Sequence, residues 1–342
     1  MSKKESSTID TTTDIEPEKI SIETDSEWLI KSTSKTDPKY GCRPEDRNIE
    51  THINNGLIIL DKPKGPTSHQ VAAWVRDIFC LNKAGHSGTL DPGVTGVLPI
   101  VLGNATKIIP ALIRGKKEYI CLMQLHNEVP HKKILETAKS FTGNIEQMPP
   151  VKSAVKRQLR IREIYSLEIL EIEGTDVLFR AEVEAGTYIR TLCVDFGKKL
   201  GIGAHMQELR RTKASSLLEK DAVTLQDIKD AWEFYKEKKD EKYLRDIIRP
   251  LERGVKHLQK IMIKDSAVSA ICHGAPLHIG GIVRFTKDIK TNDIIAIMTL
   301  KDELVALAKS TMDSTAIHDS TQGTAAEVTR VIMKEDTYPR TW

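Results

Sequence analysis

A glycine-rich stretch in the first third of the chain surrounds a single acidic residue. Residues 84–99 read AGHSGTLDPGVTGVLP, with four glycines and two prolines around Asp91. Glycine permits left-handed backbone and the close approach of another molecule, and the bond from Asp91 to Pro92 favours an extended or turn conformation at Asp91. The composition predicts a loop that fixes one carboxylate, either as a plain surface turn or as a reactive group.

Arg190, within the stretch GTYIRTL at 186–192, is the predicted partner of Asp91. A charge-assisted hydrogen bond from a guanidinium keeps a carboxylate ionised and aimed. Such a carboxylate acts as a covalent nucleophile or as a general base. Tyr119 offers an aromatic face for stacking on a nucleobase, and a hydroxyl group. The plainer interpretation of Tyr119, and of Tyr188, is a half-buried strand tyrosine.

Several other kinds of chemistry lack their signatures in this sequence. HExxH, the phosphate-binding P-loop, GxSxG and GxGxxG are all absent. The glycine-rich stretch offers no second acid for a glycosidase-like carboxylate pair. The five cysteines are scattered without a CxxC pair, which argues against a zinc site or a disulfide framework and favours a reducing cytosol. No secretory leader or membrane-spanning apolar run is predicted.

Length and charge indicate more than one structural unit. A chain of 342 residues favours two domains. Residues 1–26 are rich in Ser, Thr, Asp and Glu and are predicted to be a disordered acidic tail. Residues 1–30 carry a net charge of −5. Because the whole chain has a net charge of +3, the remaining residues carry +8. A basic body is compatible with a polyanionic partner, although a solubilising surface fits the same charge.

Hydrophobic patterns around the glycine-rich stretch predict the elements that position it. Leu57–Leu60 is a short buried strand, and residues 117–125 alternate as a strand that carries Tyr119. Between the first strand and the glycine-rich stretch, Thr67 or Ser68 caps a helix. Its apolar face is predicted to hold Val71, Trp74, Val75 and Ile78.

The second half of the chain changes from helical to β-type patterns. A strand through Tyr188 and Arg190 is expected to lead into a helix, and a second short helix to end at Leu209–Arg211. From about residue 257, short β-type runs separated by turns suggest a small barrel-like domain. Its last strand is predicted at 329–333.

Two basic segments are candidates for contacts with phosphate. Lys62 and Pro63 belong to a proline-fixed turn, which is either an ordinary solvated turn or a rigid phosphate contact. Residues 149–162 carry five bases and no acid, a composition that favours nucleic-acid binding over a merely solvated face. These bases are Lys152, Lys156, Arg157, Arg160 and Arg162.

Taken together, these motifs resemble the TruB/dyskerin family of RNA pseudouridine synthases, most closely its archaeal members. GHSGTLDPGVTGVLP is similar to the catalytic loop, LDKPKGPTSH to the first motif, KEYICLMQL to the tyrosine motif and GTYIRTL to the arginine motif. LRRT resembles a segment whose leucine lines the pocket, and AICHGAPLHIGGIVRF with the final TYPRTW resembles the PUA domain. The resemblance runs from about residue 40 to residue 342.

The resemblance implies an α+β fold, with a mixed, largely antiparallel sheet flanked by helices and a small C-terminal PUA barrel. It implies a catalytic domain at 56–252, a PUA domain at 257–334, and an N-terminal extension at 27–55 that packs near the PUA domain. It also implies that uridine in RNA is isomerised to pseudouridine, without a cofactor or metal. The expected RNAs are the tRNA T-loop and rRNA selected by an H/ACA guide, with small companion proteins in that particle.

The resemblance also assigns roles to residues. It implies that Asp91 is the nucleophile or base, that Arg190 pairs with it, and that Tyr119 stacks on the flipped uracil. The remaining residues are expected to shape or line the pocket, or to fill the space that the flipped base leaves. These are Lys62, Pro63, His86, Tyr188 and Leu209.

Two other functions remain open beside the enzyme. One is a non-catalytic RNA-binding scaffold of the H/ACA particle, against which the intact set Asp91, Tyr119 and Arg190 argues. The other is a PUA-bearing RNA methyltransferase, against which the absence of a nucleotide-binding glycine motif in this sequence argues. The chain also departs from the family after LRRT, where Ala214, Ser215 and the next residues replace the usual Gly-Pro-Phe turn.

Overall fold

The computed structural model describes residues 28–149 and 158–340, and their strands and helices are numbered along the chain. The larger of two sheets has the strand order β11-β2-β4-β9-β5-β8-β7-β6, with β3 on β4 and β10 on β9. Its strands are β2 (Gly56–Lys62), β3 (Ala84–His86), β4 (Thr95–Leu102), β5 (Lys117–Leu125), β6 (Gly143–Gln147), β7 (Arg160–Glu173), β8 (Asp176–Val183), β9 (Ala204–Ala214), β10 (Leu217–Leu218) and β11 (Arg249–Pro250). The pairing of β4 with β9 is parallel and the others are antiparallel, so the sheet is mixed and largely antiparallel, as expected.

The central strands of this sheet are apolar because both of their faces are covered. Along β2, Leu57 and Ile59 pack in one hydrophobic cluster, while Ile58 and Leu60 pack in another. Alternate residues of a strand point to opposite faces, so a continuous apolar run is what a doubly covered strand requires. The predicted strand at Leu57–Leu60 is confirmed within β2.

Helices flank the sheet on both faces. Those of the first two hundred and fifty residues are α1 (Ile49–Asn54), α2 (Ser68–Ile78), α3 (Ile109–Arg114), α4 (His131–Lys139), α5 (Ile189–Leu200), α6 (Leu225–Lys238) and α7 (Lys242–Ile247). Of the two predicted caps, Thr67 and Ser68, it is Thr67 that caps α2, through a capping box with Gln70. The predicted apolar face was partly wrong, because Val71 and Val75 are buried whereas Trp74 is 46% exposed.

The segment around Arg190 differs from its predicted secondary structure. Tyr188 is extended and precedes α5, so Arg190 lies in the first helical turn rather than on a strand. The predicted short helix ending at Leu209–Arg211 is wrong, since these residues belong to strand β9. The long antiparallel pairing of β9 with β5 satisfies the backbone groups of this segment. Tertiary pairing therefore overrides the local sequence preference.

The second sheet is formed mainly by C-terminal strands, in the order β1-β14-β12-β15-β16-β17-β13. Its strands are β1 (Trp28–Ile30), β12 (Lys260–Ile263), β13 (Leu277–His278), β14 (Ile282–Thr286), β15 (Ile294–Met298), β16 (Leu304–Ser310) and β17 (Thr324–Val331), accompanied by α8 (Asp265–Cys272) and α9 (Ser314–Asp319). The last strand spans 324–331 rather than the predicted 329–333, because Thr324 pairs with His278 of β13 and residues 326–331 pair with β16.

N-terminal residues join the C-terminal sheet. Strand β1 pairs antiparallel with β14, with Trp28 opposite Thr286. Arg47 forms a bidentate, buried salt bridge with Glu252, whose carboxylate also accepts the Leu304 N–H at 3.0 Å. These contacts tie the N-terminal segment, the larger sheet and the C-terminal sheet to one another. Within the described ranges, none of the helices has the length and apolar character needed to cross a membrane.

Candidate active site

A cavity of about 490 Å³ opens where the glycine-rich loop, β5, β9 and the start of α5 meet. The side chains that the sequence singled out on its wall are Asp91, Tyr119, Tyr188, Arg190 and Leu209. Three of these residues come from elements far apart in sequence. The predicted meeting of Asp91, Arg190 and Tyr119 at one cavity is therefore present in the structure.

The carboxylate of Asp91 is held by Arg190. Arg190 Nη2 donates a hydrogen bond of 2.5 Å to Asp91 Oδ2. The Asp91 side chain is 58% exposed and that of Arg190 is 52% exposed. The pair therefore lies at the open mouth of the cavity, where another molecule can reach it. A carboxylate with a guanidinium on one oxygen is oriented and keeps its other oxygen for a reacting atom.

Lys62 supports the Asp91 loop from beneath. Its buried Nζ donates to the backbone carbonyls of Pro63, Pro92 and Val94 at 2.9, 3.3 and 3.0 Å. Burial lowers the pKa of Lys62, while the negative charge of Asp91 opposes that change. Lys62 and Pro63 thus lie behind the loop and not among the residues that line the cavity.

Ser68 fastens the other side of the loop. Its hydroxyl donates to the Leu90 carbonyl at 3.0 Å and accepts from the Leu90 N–H at 2.9 Å. Because Ser68 is also the first residue of α2, the helix and the residue before Asp91 are rigidly joined. Sequence reasoning considered Ser68 only as a helix cap and missed this contact.

Tyr119 and Leu209 lie on paired strands. Tyr119 on β5 is half-buried, and like Leu209 and Met206 of β9 it packs against the two hydrophobic clusters beneath the site. Antiparallel partners point to the same face of a sheet, and Tyr119 is opposite Arg211 in the register. This places an aromatic ring, an apolar side chain and a cation on one wall of the cavity.

Tyr188 is positioned by Gln147. The Tyr188 N–H donates to Gln147 Oε1 at 2.9 Å, and Gln147 Nε2 donates to the Tyr188 carbonyl at 3.1 Å. This reciprocal pair fixes the backbone two residues before Arg190. Gln147 is buried at the end of β6 and was not recognised from the sequence, since it lies in no catalytic motif.

Lys117 and Arg211 are cavity residues that sequence reasoning missed. Both side chains are buried, and both line the same cavity as Asp91. Arg211 Nε donates to the Val97 carbonyl at 2.7 Å, and its Nη2 donates to the Gly88 carbonyl at 3.0 Å. Burial, with a smaller effect of Arg211, lowers the pKa of Lys117 to about 8. The available signal was a lysine two residues before Tyr119.

His86 lies behind the cavity wall. It belongs to β3 and packs edge-on against His69, with ring centroids 4.7 Å apart. Burial, with smaller effects of His69 and Arg211, lowers the pKa of His86 to about 4. Its imidazole is therefore neutral near pH 7. His86 is not among the described residues that line the cavity.

The basic segment reaches the rim of the cavity. Arg160 and Arg162 lie at the start of β7, and Arg162 Nη1 forms a salt bridge of 3.2 Å with Glu184, a residue of the cavity wall. The remaining predicted bases, Lys152, Lys156 and Arg157, lie outside the described residues, as does the acidic tail.

The residues that replace the family's Gly-Pro-Phe turn after LRRT form a tight turn of their own. Ser215 adopts a left-handed backbone conformation with φ of 59°, and Leu217 pairs with Ala214 to form a hairpin. The Ser215 N–H donates to the Lys116 carbonyl at 2.8 Å, which anchors the turn to the start of β5. Across the described part of the chain, no three His, Cys, Asp or Glu side chains cluster closely enough to hold a metal ion.

Sequence models of four known domains match successive parts of the chain. The N-terminal domain of TruB family pseudouridylate synthases matches residues 76–189, and the C-terminal domain of tRNA pseudouridylate synthase B matches 190–256. A PUA domain matches 259–332, and a DKCLD domain matches 18–72.

Curated archaeal proteins are similar over nearly the whole chain. The probable tRNA pseudouridine synthase B of Methanocaldococcus jannaschii is 52% identical, with 92% of this chain and 94% of that protein covered. The protein of the same name from Thermococcus onnurineus is 54% identical, with 92% and 95% covered.

Solved structures agree in fold. A chain in the crystal structure of a Cbf5-Nop10-Gar1 complex matches with a TM-score of 0.89 and 52% identity, over 92% of this chain and 97% of that one. A chain in the structure of an H/ACA ribonucleoprotein bound to a substrate RNA containing 2′-deoxyuridine matches with a TM-score of 0.87 and 50% identity, over 93% and 98%. The chain belongs to the TruB family of pseudouridylate synthases.

Proposed function

We propose that this pseudouridine synthase isomerises uridine in RNA at the cavity formed by Asp91, Tyr119 and Arg190. Two classes of substrate are proposed, and the protein acts on one or both of them. They are the T-loop uridine at position 55 of tRNA, and rRNA uridines selected by a guide RNA in an H/ACA particle. The observation that carries the proposal is the Asp91–Arg190 hydrogen bond at the mouth of a cavity that Tyr119 also lines.

The proposed reaction exchanges one bond to the ribose for another. The N1–C1′ bond breaks and its electron pair leaves with uracil, after which the ring turns and C5 joins C1′. The proton on C5 is lost and N1 gains one. Asp91 acts either as the nucleophile that holds C1′ or as the base that removes a proton from the sugar. Arg190 orients the carboxylate in both cases.

Retention of the detached base is the main demand of this chemistry. Uracil must leave the RNA stack and enter a pocket before its bond breaks, and it must not escape into water. In the proposal, Tyr119 stacks on the flipped ring and Leu209 packs beside it on the same wall, since both line the cavity. The site is shaped from behind the cavity wall by Lys62, Pro63 and His86. The fixed backbone of Tyr188 positions Arg190.

RNA beyond the flipped nucleotide is assigned to the basic residues and the C-terminal sheet. Arg162 pairs with Glu184 at the cavity rim, and Arg160 lies two residues before it on β7. Lys152, Lys156 and Arg157 precede them in sequence. Residues 56–252 form the proposed catalytic domain and 257–334 the proposed RNA-gripping PUA domain. The extension at 27–55 then reinforces the PUA domain, as the pairing of β1 with β14 suggests.

The relatives support companion proteins, and the cysteines support a compartment. Similar chains occur in structures named for Cbf5, Nop10 and Gar1, and in an H/ACA ribonucleoprotein. We infer that small companion proteins of this kind bind the present chain, and that it acts in the cytoplasm. A reducing compartment agrees with its free cysteines, including Cys121 and Cys193, whose Sγ atoms lie 3.6 Å apart.

An activity assay with and without guide RNA tests the proposal. The protein is incubated with bare tRNA transcript, and separately with guide RNA, rRNA target and companion proteins, and pseudouridine is mapped in each product. Asp91→Ala is expected to abolish pseudouridine formation while RNA binding persists. RNA binding by the wild-type protein without pseudouridine in either assay would favour the alternative, a non-catalytic scaffold of the H/ACA particle.

A further inference from the structure

The cavity contains two buried positive charges for which the structure shows no carboxylate partner among the described residues. Lys117 and Arg211 are 5% and 1% exposed, whereas Asp91 and Arg190 are more than half exposed. The bonds found for Lys117 go to the carbonyls at the end of α3, and those for Arg211 go to Val97 and Gly88.

The two cationic side chains approach the same glycine of the cavity wall. A Cβ atom added at Gly88 would lie 3.3 Å from Arg211 Nη1 and 3.9 Å from Lys117 Cε. Gly88 has a left-handed φ of +73°, so the loop passes both side chains with no side chain of its own between them and the cavity. Arg211 uses Nε and Nη2 for carbonyls, which leaves Nη1 beside Gly88 at the wall.

Burial of two like charges without a counter-charge is unfavourable. Charges taken out of water lose their solvation, and attraction to an opposite charge is the usual compensation. The lowered pKa of Lys117 reflects this burial and the nearby charge of Arg211. An anion that enters the cavity would supply the missing counter-charge.

We propose that Arg211 and Lys117 stabilise the uracil anion formed when the N1–C1′ bond breaks. This inference rests on the proposed function. The electron pair of that bond passes to N1 and is shared with O2 and O4, while C1′ bonds to Asp91 or Asp91 removes the C2′ proton. When C5 joins C1′, either the Asp91 oxygen leaves C1′ or the proton returns to C2′. The C5 proton is then lost and N1 is protonated.

The geometry favours the base over a backbone phosphate as this anion. Asp91 must meet the ribose at the exposed mouth of the cavity. The phosphates of the RNA backbone therefore remain outside the cavity with the ribose. The base extends inward from C1′, past Tyr119, and Arg211 is the cross-strand neighbour of Tyr119 on β9. A ring stacked on Tyr119 therefore brings its carbonyl oxygens towards the buried cations. Fixed cations in a water-poor site stabilise developing negative charge strongly.

Single-turnover kinetics with two substrate RNAs test this role. The target nucleoside is uridine in one RNA and 5-fluorouridine in the other, and loss of the parent nucleoside reports cleavage. Because fluorine makes the uracil ring a better leaving group, cleavage of 5-fluorouridine depends less on stabilisation of the uracil anion than cleavage of uridine does. At saturating RNA, Arg211→Gln is expected to slow uridine cleavage by about 100-fold, and Lys117→Met by at least about 10-fold. RNA affinity should stay the same, and the deficit should shrink at least threefold with 5-fluorouridine.

Matched variants separate this role from a structural one. Arg210→Gln alters the neighbouring arginine, which pairs with Asp61 and Glu219 outside the cavity, and any deficit it causes should be equal for both RNAs. Arg211→Lys keeps the charge and should recover part of the rate. Equal deficits with both RNAs for Arg211→Gln and Lys117→Met would overturn the inference. If Arg211→Gln does not fold, Lys117→Met decides by the same criterion, and wild-type protein that forms no pseudouridine instead refutes the proposed function.

Discussion

Arg190 donates a hydrogen bond of 2.5 Å to Asp91 across 99 positions of sequence. The two residues reach each other because Arg190 sits on the first turn of α5 and Asp91 on a loop tied down by Lys62 and Ser68. Neither residue is buried, so the surrounding structure, and not desolvation, sets the geometry.

Replacement of Arg190 by lysine tests how far this geometry matters. Lysine keeps the charge but loses the planar guanidinium, and a reacting group displaced by about 1 Å loses roughly 100-fold in rate. We expect Arg190→Lys to lower the single-turnover rate of pseudouridine formation by about that factor, with RNA affinity nearly unchanged. Arg180→Lys, at the exposed pair with Glu168, is the control and should retain wild-type rate. Wild-type activity of Arg190→Lys would contradict the positioning role.

Replacement of Lys62 should destabilise the protein. Lys62→Met removes the donor from three backbone carbonyls around the Asp91 loop, and each buried group left unpaired costs about 1–3 kcal/mol. Because burial also disfavours the charged lysine, we expect a net loss of about 2 kcal/mol in the free energy of unfolding, measured by urea denaturation. Lys64→Met changes an exposed lysine of the same turn and should shift stability by less than about 0.5 kcal/mol. Equal effects of the two variants would show that the carbonyl contacts are not important.

Two glycines of the glycine-rich stretch show whether a glycine is required by the backbone or merely present in the composition. At Gly96, φ is +98° and an added Cβ would lie 2.2 Å from the Arg211 carbonyl oxygen, at the parallel contact of β4 with β9. Gly96→Ala is expected to lower the free energy of unfolding by more than about 3 kcal/mol. Gly93 has no neighbour within 4 Å of such a Cβ. Thermal melts should show Gly93→Ala close to wild type, and comparable losses for both variants would contradict the steric argument.

His86 is expected to make stability depend on acidity. Its pKa is lowered from 6.5 to about 4 in the folded chain, mainly by burial. Below pH 6.5 the unfolded chain therefore takes up the proton first, and stability falls as the pH drops from 6.5 towards 4. His86→Gln should reduce the loss of unfolding free energy between pH 7 and pH 5 by up to about 2 kcal/mol.

Urea denaturation at the two pH values measures this loss. His131→Gln, at an exposed position on α4, is the matched control and should show the wild-type pH dependence. An unchanged pH dependence in His86→Gln would show that His86 does not bind protons differently in the two states.

Local sequence determined much of this protein. The continuous apolar run Leu57–Leu60 predicted a buried strand, and Thr67 or Ser68 was predicted to cap the helix that became α2. The crowding of glycine and proline around Asp91 predicted a loop built to display one carboxylate. These features depend on backbone preferences and short-range periodicity, which a sequence contains directly.

Tertiary structure alone decided the rest. Leu209–Arg211 was predicted as helix, and only its pairing with β5 made it a strand and turned Arg211 into the cavity. Gln147 lies in no recognisable motif and reaches the site through a long-range hydrogen bond with Tyr188. Lys117 belongs to the tyrosine motif, but only the burial of its side chain near Arg211 made it a cavity residue. Such contacts join residues from distant strands, and local patterns contain no information about which strands will meet. The local sequence thus specified the loop that holds the Asp91 carboxylate, whereas the surroundings of that carboxylate arose from folding.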